Sequence, residues 1–413
     1  MALQSFFGLF ALTGIAWLLS ERRRAVSLRI IAVGLGLQLV LAWAMLNLAP
    51  VQQFFLLLNN AVASLESATV AGSSFVFGYL GGGPLPFDEK AGASTFIFAF
   101  RGLPVVLVMS ALSALFFYWR VLPVVVRWFA WAVKRTMGIG GPAGLSVAAN
   151  VFVGMVEAPL LIRPYLKEMT RSEIFMVMTA GLATIAGTVM VLYSSILSHV
   201  IPGAMGHILA ASIISAPAAI MVSQIMVPET EKPTMGDMVP PSEAKSAMDA
   251  ITRGTADGMA LLINIVAMLV VLVALVDIVN QALGYLVVTA SGPLTLQMIF
   301  GVLMAPLVWL MGIPWSEAQT AGQLMGVKTA LNELIAYIQM SRLPETALSP
   351  KSRLIMTYAM CGFANFGSMG IMIGGMSAMA PERRDVILPL GFKSIVSGTL
   401  ATMITGAVAG VVG

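Results

Sequence analysis

Residues 142–165, PAGLSVAANVFVGMVEAPLLIRPY, and residues 313–340, IPWSEAQTAGQLMGVKTALNELIAYIQM, are apolar enough to enter a membrane yet carry Asn, Glu, Gln, Pro and Gly in their middles. Irregular backbone at that depth is tolerated only where it is buried in protein or lines a cavity. The two stretches therefore read as re-entrant hairpins. Each precedes a span interrupted by glycines, GLATIAGT at 181–188 after the first and CGFANFGSMG at 361–370 after the second. One glycine cluster alone would read as close helix packing. Matching hairpins and broken helices in two halves mark an inverted-repeat transporter, with its site where the breaks meet near the midplane.

The rest of the chain agrees with a lipid solvent. Its 413 residues are 58% hydrophobic and 10% charged, with a mean hydropathy of +0.92, too little polar side chain to cover a surface facing water. Apolar windows of spanning length run near 4–20, 27–48, 98–118, 172–197, 206–227, 258–284, 355–380 and 387–411. They are long runs of Leu, Ala, Met and Gly, without the alternation of a membrane barrel. The expectation is an all-α polytopic membrane protein with eight transmembrane helices, two re-entrant hairpins and interfacial helices.

The first run has no basic residue before it and is followed by Arg22, Arg23 and Arg24, the reverse of a secretory signal. It is expected to stay in the membrane. Further basic residues at Arg120, Arg127, Lys134, Arg135, Lys232, Lys245, Arg253, Arg383 and Arg384 fall on one side if the spans alternate. That side is the cytoplasm, which places both termini outside. The formal charge of +4 is this bias and gives no reason to propose a nucleic-acid partner. A single cysteine, Cys361, excludes an internal disulfide. His199 and His207 are too few for a histidine-built metal site and read as a polar turn between spans.

The expected organisation is a first scaffold part over 1–120, with an amphipathic stretch and a Gly81–Gly82–Gly83–Pro84 loop in 50–93 at the outer interface. A first transport repeat follows over 121–227, comprising hairpin 142–165, broken helix 172–197 and span 206–227. The polar, Pro-rich stretch 228–253 is a cytoplasmic linker, and 254–286 is a further scaffold span. The second transport repeat occupies 287–413, with hairpin 313–340, broken helix 355–380 and span 387–411.

Ionisable groups inside a bilayer need a function or a partner, and Glu157 and Glu333 are the two that matter. Glu157 lies between Gly154 and Pro159 at a hairpin tip, with an ion pair to Arg163 as its structural alternative. Glu333 follows Asn332, with Lys328 five residues earlier as a possible ionic partner. A carboxylate accepts two hydroxyl donors at once, which suits the vicinal diol of a ribose. Asn365 and Ser368, three apart, would share a helix face. For Ser368 the plainer reading is a bond back to its own helix. Asn150 and Thr184 offer neutral oxygens beside possible free carbonyls at Val153 and Ile185, a set that suits sodium. There is no phosphate-cradling loop, zinc-spaced His–Glu pair or nucleophile elbow, so the energy must come from an ion gradient.

Together these motifs resemble the concentrative nucleoside transporters. Gly326-x-Lys328-x-x-x-Asn332-Glu333-x-x-Ala336-Tyr337 is similar to that family's signature, with Leu334 and Ile335 where Phe and Val are usual. Cys361-Gly362-Phe363-Ala364-Asn365 resembles its broken helix, Glu157-Ala158-Pro159-Leu160 its first hairpin tip, and Glu229-Thr230-Glu231-Lys232-Pro233 its linker. The resemblance implies a homotrimer in an inner membrane, with transport domains moving like elevators against a central scaffold. It also implies that the first hairpin (Gly154, Met155, Val156, Glu157) reads the nucleobase, that Val189 and Phe363 line the base pocket, and that Glu333, Asn365 and Ser368 hold the ribose. Asn150, Val153, Thr184 and Ile185 would form the sodium site, with Thr184 for the usual serine.

At the tip, Met155 and Val156 replace the family's polar Gln-Thr/Ser pair. An apolar wall discriminates by only about 1–3 kcal/mol per methylene, so selectivity for ordinary pyrimidine nucleosides is expected to shift toward purine nucleosides or a modified or conjugated nucleoside. A proton could replace sodium as driver, with a membrane carboxylate titrating. A membrane enzyme would need clustered carboxylates or a nucleophile with its base, whereas Glu157 and Glu333 lie in different hairpins. A passive pore would have no use for two hairpins and an ion site.

Overall fold

The computed structural model describes residues 2–87, 96–234, 244–289 and 292–413. The chain opens with α1 (Ala2–Leu18), α2 (Leu28–Asn47), α3 (Ala49–Phe77), the single turn α4 (Phe98–Arg101) and α5 (Pro104–Tyr118). Next come α6 (Val121–Met137), α7 (Gly141–Asn150), the short α8 (Glu157–Leu160), α9 (Arg171–Ala183), α10 (Gly187–Leu197) and α11 (Ala204–Met226). A 40-residue helix, α12 (Ala247–Leu286), leads through the small β1 (Val288–Thr289) and β2 (Gly292–Pro293) ribbon to the second half. That half is α13 (Leu296–Leu310), α14 (Trp315–Ala330), α15 (Glu333–Arg342), α16 (Pro350–Met360), α17 (Phe366–Met379) and α18 (Arg384–Val412).

The succession α6–α11 recurs element for element in α13–α18: an entry helix, two hairpin arms, a helix in two pieces, and a long closing helix. Local chemistry sets the breaks. Thr170 and Glu173 form a reciprocal capping box that starts α9. Asn332 caps α15 through the Ile335 N–H, and Asn365 caps α17 through the Ser368 N–H. An Asx cap holds the backbone extended just before a helix, so each asparagine forces the interruption that precedes it.

By length and apolar composition, seven described helical segments could cross a membrane, or eight with the α13–α14 pair, which bends by 118°. The expected spans are refined at three places. The first, α1, has 17 residues. The expected span 355–380 is divided into α16 and α17 by a break at 361–365, and neither piece reaches spanning length. The stretch read as amphipathic contains α3, a 29-residue helix that, with the turn after it, meets the spanning criterion. Its sequence carries a single acidic residue, Glu66, and no basic one, so little limits its depth.

The centre is built by α9, α10, α11 and α18, nearly all of whose faces are buried. With lipid outside there is little hydrophobic gain in bringing helices together, so small residues and hydroxyl pairs do the joining. Thr179 and Ser397 hydroxyls meet at 2.7 Å, tying α9 to α18, and Ser215 and Thr405 meet at 3.0 Å, tying α11 to α18. Helices α13 and α14 touch backbone to backbone: a Cβ on Gly322 would lie 2.6 Å from the Gly301 carbonyl oxygen and 3.0 Å from the Ala305 nitrogen. His199 lies in the turn after α10, but His207 is inside α11, where Nδ1 lies 3.2 Å from the Tyr358 hydroxyl.

Helices α1 and α2 pack on α11 and α18, while α5 runs along α12. The start of α1 is tied to the α13–α14 corner by Gln4, which donates to the Trp309 and Ile313 carbonyls at 2.6 and 3.1 Å, and by Ser5, which donates to the Met311 carbonyl at 2.9 Å. Past its other end, Glu21 accepts from Arg171 at 2.9 Å and from Lys393. The linker begins pinned to the start of α9: Thr170 donates to Glu229 at 2.6 Å, and the Thr234 N–H donates to Glu173 at 2.9 Å. Residues 235–243 of the expected linker, and 88–93 of the expected outer loop, lie outside the described residues.

Two expectations follow. Gly322→Val is expected to separate α13 from α14 and to lower the unfolding midpoint of the purified protein, because the obstructing atoms are main chain and cannot swing aside. The hydrogen bond from Arg171 is the chief cause holding the Glu21 carboxyl below its usual range; partial burial opposes it and Lys393 adds to it. Since the folded state lowers this pKa, the contribution is present above the ordinary carboxylate range and disappears as pH falls through the lowered value. Glu21→Gln should therefore cost about 1 kcal/mol or less at pH 7, and nothing in strong acid, as read by thermal unfolding across pH.

Candidate functional site

The first break forms where α7 stops at Asn150 and the chain runs irregularly over 151–156 before α8. Opposite it, α9 stops at Ala183, Thr184–Ala186 are extended, and α10 restarts at Gly187. The two interruptions dock on each other through main chain. The Gly187 N–H donates to the Phe152 carbonyl at 3.0 Å, and the Thr184 hydroxyl lies 3.2 Å from the Asn150 carbonyl and 3.0 Å from that of Ala180. Asn150, Thr184 and Ile185 are buried, and Val153 is half-buried. Among the described residues, no hydrogen bond reaches the carbonyl oxygens of Val153 or Ile185. Two uncommitted carbonyls beside a hydroxyl and an amide are the neutral oxygen set that fits a small monovalent cation.

The tip of the first hairpin rests on both broken helices. A Cβ on Gly181 of α9 would lie 3.2 Å from the Met155 Cβ, and one on Gly375 of α17 would lie 3.1 Å from the Val156 Cγ1. The tip pair therefore spans from the first repeat to the second. Glu157 is exposed, its carboxylate folded over Gly154 so that any side chain there would collide with it. Among the described residues it makes no ion pair with Arg163, so the structural alternative for Glu157 is not realised.

The second cluster is the more elaborate. Glu333 is the first residue of α15 and is buried. One carboxylate oxygen accepts from the Tyr193 hydroxyl at 2.6 Å, and the other accepts from the Asn365 amide at 3.0 Å. Asn365 is shared: its Nδ2 serves Glu333 while its Oδ1 accepts from the Ser368 N–H at 2.7 Å. It stands outside the helix as its cap, so Asn365 and Ser368 are joined by capping and not by a common helix face. Lys328 turns away from Glu333. Its ammonium donates to the Ala359 carbonyl at 3.0 Å and the Thr402 hydroxyl at 2.8 Å, and the Lys328–Glu333 pair read from the sequence is not formed among the described residues. Val189 is buried and Phe363 half-buried.

Spacing along the chain did not reveal Tyr193. A hydroxyl inside an apolar span that must find an acceptor was the available signal. Its ring lies 5.3 Å from that of Tyr337, whose own hydroxyl donates to the Thr357 carbonyl at 2.9 Å. The arrangement offers a carboxylate with acceptor capacity left over, a tip with an apolar face, and neutral oxygens at two docked breaks. Among the described residues no group of His, Cys, Asp or Glu is fit to hold a metal.

Three family models cover most of the chain. The one described as Na+ dependent nucleoside transporter C-terminus matches residues 207–410, its N-terminus counterpart matches 7–80, and one described as nucleoside recognition matches 99–200. The chain is 36% identical over 429 residues to an uncharacterized transporter of Haemophilus influenzae, covering 99% of this chain and 97% of the relative. It is 33% identical over 414 residues to the nucleoside permease NupC of Helicobacter pylori, covering 99% and 97%. Among solved structures, CNTnw in an inward-facing substrate-bound state matches with a TM-score of 0.89 at 34% identity, covering 100% of this chain and 99% of that one. An outward-facing variant of CNTnw matches with a TM-score of 0.89 at 33% identity, covering 99% and 97%. Likeness over its whole length to these carriers leads to one conclusion: the chain belongs to the sodium-dependent concentrative nucleoside transporters, a family of carriers and not of enzymes, with sodium as its coupling ion.

Proposed function

We propose that this protein imports nucleosides across a bacterial inner membrane by sodium symport, with a base preference displaced from pyrimidines by its Met155-Val156 tip. The observation that carries the substrate reading is the buried Glu333 carboxylate, fixed by Tyr193 and Asn365 with one acceptor position remaining on each oxygen. Two adjacent acceptors match the vicinal hydroxyls of a ribose. Ser368 completes the sugar side. Gly154, Met155, Val156 and Glu157 face the base, between Val189 and Phe363. Asn150, Val153, Thr184 and Ile185 supply the sodium site, supported by the docked breaks and the uncommitted carbonyls of Val153 and Ile185.

The protein works as a homotrimer with both termini outside, and each protomer carries a transport body built from the repeats 121–227 and 287–413. That body moves like an elevator against a scaffold that includes the span 254–286. Support for this motion comes from the likeness to CNTnw structures described as inward-facing, outward-facing and intermediate. The packing of α1 and α2 on α11 and α18 joins those two helices to the transport body.

Uptake of labelled uridine, adenosine and guanosine into proteoliposomes, with an inward sodium gradient or with potassium in its place, tests the proposal. A purine that accumulates in sodium alone supports it. Sodium-independent uptake that follows pH would favour the proton. Changing Met155 to Gln and Val156 to Thr together should raise uridine transport relative to adenosine; equal transport of both, unmoved by these changes, would contradict the tip reading. Glu333→Gln removes the charge that strengthens a hydroxyl hydrogen bond, worth about 1.5–3 kcal/mol. Uptake at subsaturating nucleoside should fall roughly 10- to 100-fold.

A further inference from the structure

The cation oxygens and the sugar acceptor lie on different elements, and one side chain crosses between them. Tyr193 belongs to α10, the helix that begins where the first broken span restarts. The residues just before that start, Thr184 and Ile185, carry proposed cation oxygens, and the first residue, Gly187, is bonded to Phe152 of the hairpin. Six residues further along, about 9 Å up the helix axis, the Tyr193 hydroxyl reaches into the second repeat and donates to Glu333 at 2.6 Å. Its side chain is buried and its ring is held against Tyr337, so the hydroxyl follows the backbone of α10.

We propose that Tyr193 is the positioning residue through which sodium raises nucleoside affinity. The inference rests on the reading of Glu333 as the sugar acceptor. An ionised carboxylate has about four acceptor positions. Tyr193 takes one on one oxygen and Asn365 takes one on the other, so a donor from each repeat fixes the carboxylate plane. A cation that closes the break at 184–187 fixes the start of α10 and, through that rigid helix, the direction of the Tyr193 O–H. Without the cation, the break loosens, the donor moves, and Glu333 can rotate away from the geometry that accepts two adjacent hydroxyls. The coupling is reciprocal: a bound ribose, by holding Glu333 and Tyr193, favours the helix position that binds sodium.

The test is equilibrium binding of adenosine, and separately of 2′,3′-dideoxyadenosine, to purified protein in nanodiscs, in sodium chloride and in choline chloride. For wild type, adenosine affinity should be higher in sodium. For Tyr193→Phe the ratio of the two affinities should shrink about fivefold or more, the lower end of usual allosteric couplings. Sodium alone should still raise the unfolding midpoint as it does in wild type, and the dideoxy compound should show the same ratio in both proteins. Tyr193→His, which keeps a ring donor, should retain part of the ratio and serves if the phenylalanine variant does not fold. An unchanged ratio in Tyr193→Phe overturns the proposal, as does loss of the sodium effect on unfolding, which would make Tyr193 a support of the cation site. If wild type binds the dideoxy compound as well as adenosine, the sugar reading of Glu333 falls and takes this route with it; an unchanged ratio with the diol dependence intact sinks the coupling alone.

Discussion

A carboxylate in the interior of a lipid-facing protein must be surrounded by donors, and the arrangement around Glu333 follows from that requirement. The donors are a tyrosine of α10 and the cap residue of α17, which meet the carboxylate at the start of α15. The interruption before α17 places Asn365 outside the helix as its cap, where its amide reaches Glu333 while its oxygen accepts from the Ser368 N–H. The breaks at 184–186 and 361–365 are therefore the means by which polar chemistry is delivered to a place where water does not supply it.

The same economy appears where the second break begins. At the end of α16 the Ala359 carbonyl takes the Lys328 ammonium, which also holds Thr402 of α18. That buried cation joins the hairpin arm α14, the end of α16 and the closing helix. The hydroxyl pairs Thr179–Ser397 and Ser215–Thr405 then lock the closing helix to the first repeat.

Much of this was legible in the chain. The hairpins and breaks were legible because Asn, Glu, Gly and Pro recur in matching apolar runs of both halves, a repetition that close helix packing at one glycine cluster does not explain. The details that escaped are of a different kind. Asn365 and Ser368 are three residues apart, but three is also the distance from a cap to the N–H it accepts, so spacing could not distinguish a shared face from a cap. Lys328 and Glu333 are near in sequence, yet the interruption at 331–332 separates their directions, and the partners of Lys328 lie 31 and 74 residues away. Tyr193 looks like any aromatic residue in a span until its acceptor, 140 residues further on, is placed beside it.

Lys328 and Glu333, although they do not touch, bring one formal cation and one formal anion into the same buried layer. Their electrical effects cancel at a distance. Burying that pair together adds no net charge to the interior. Each sodium ion carried inward gains about 2.3 kcal/mol for every 100 mV of membrane potential, a driving force to which the Lys328–Glu333 pair adds nothing.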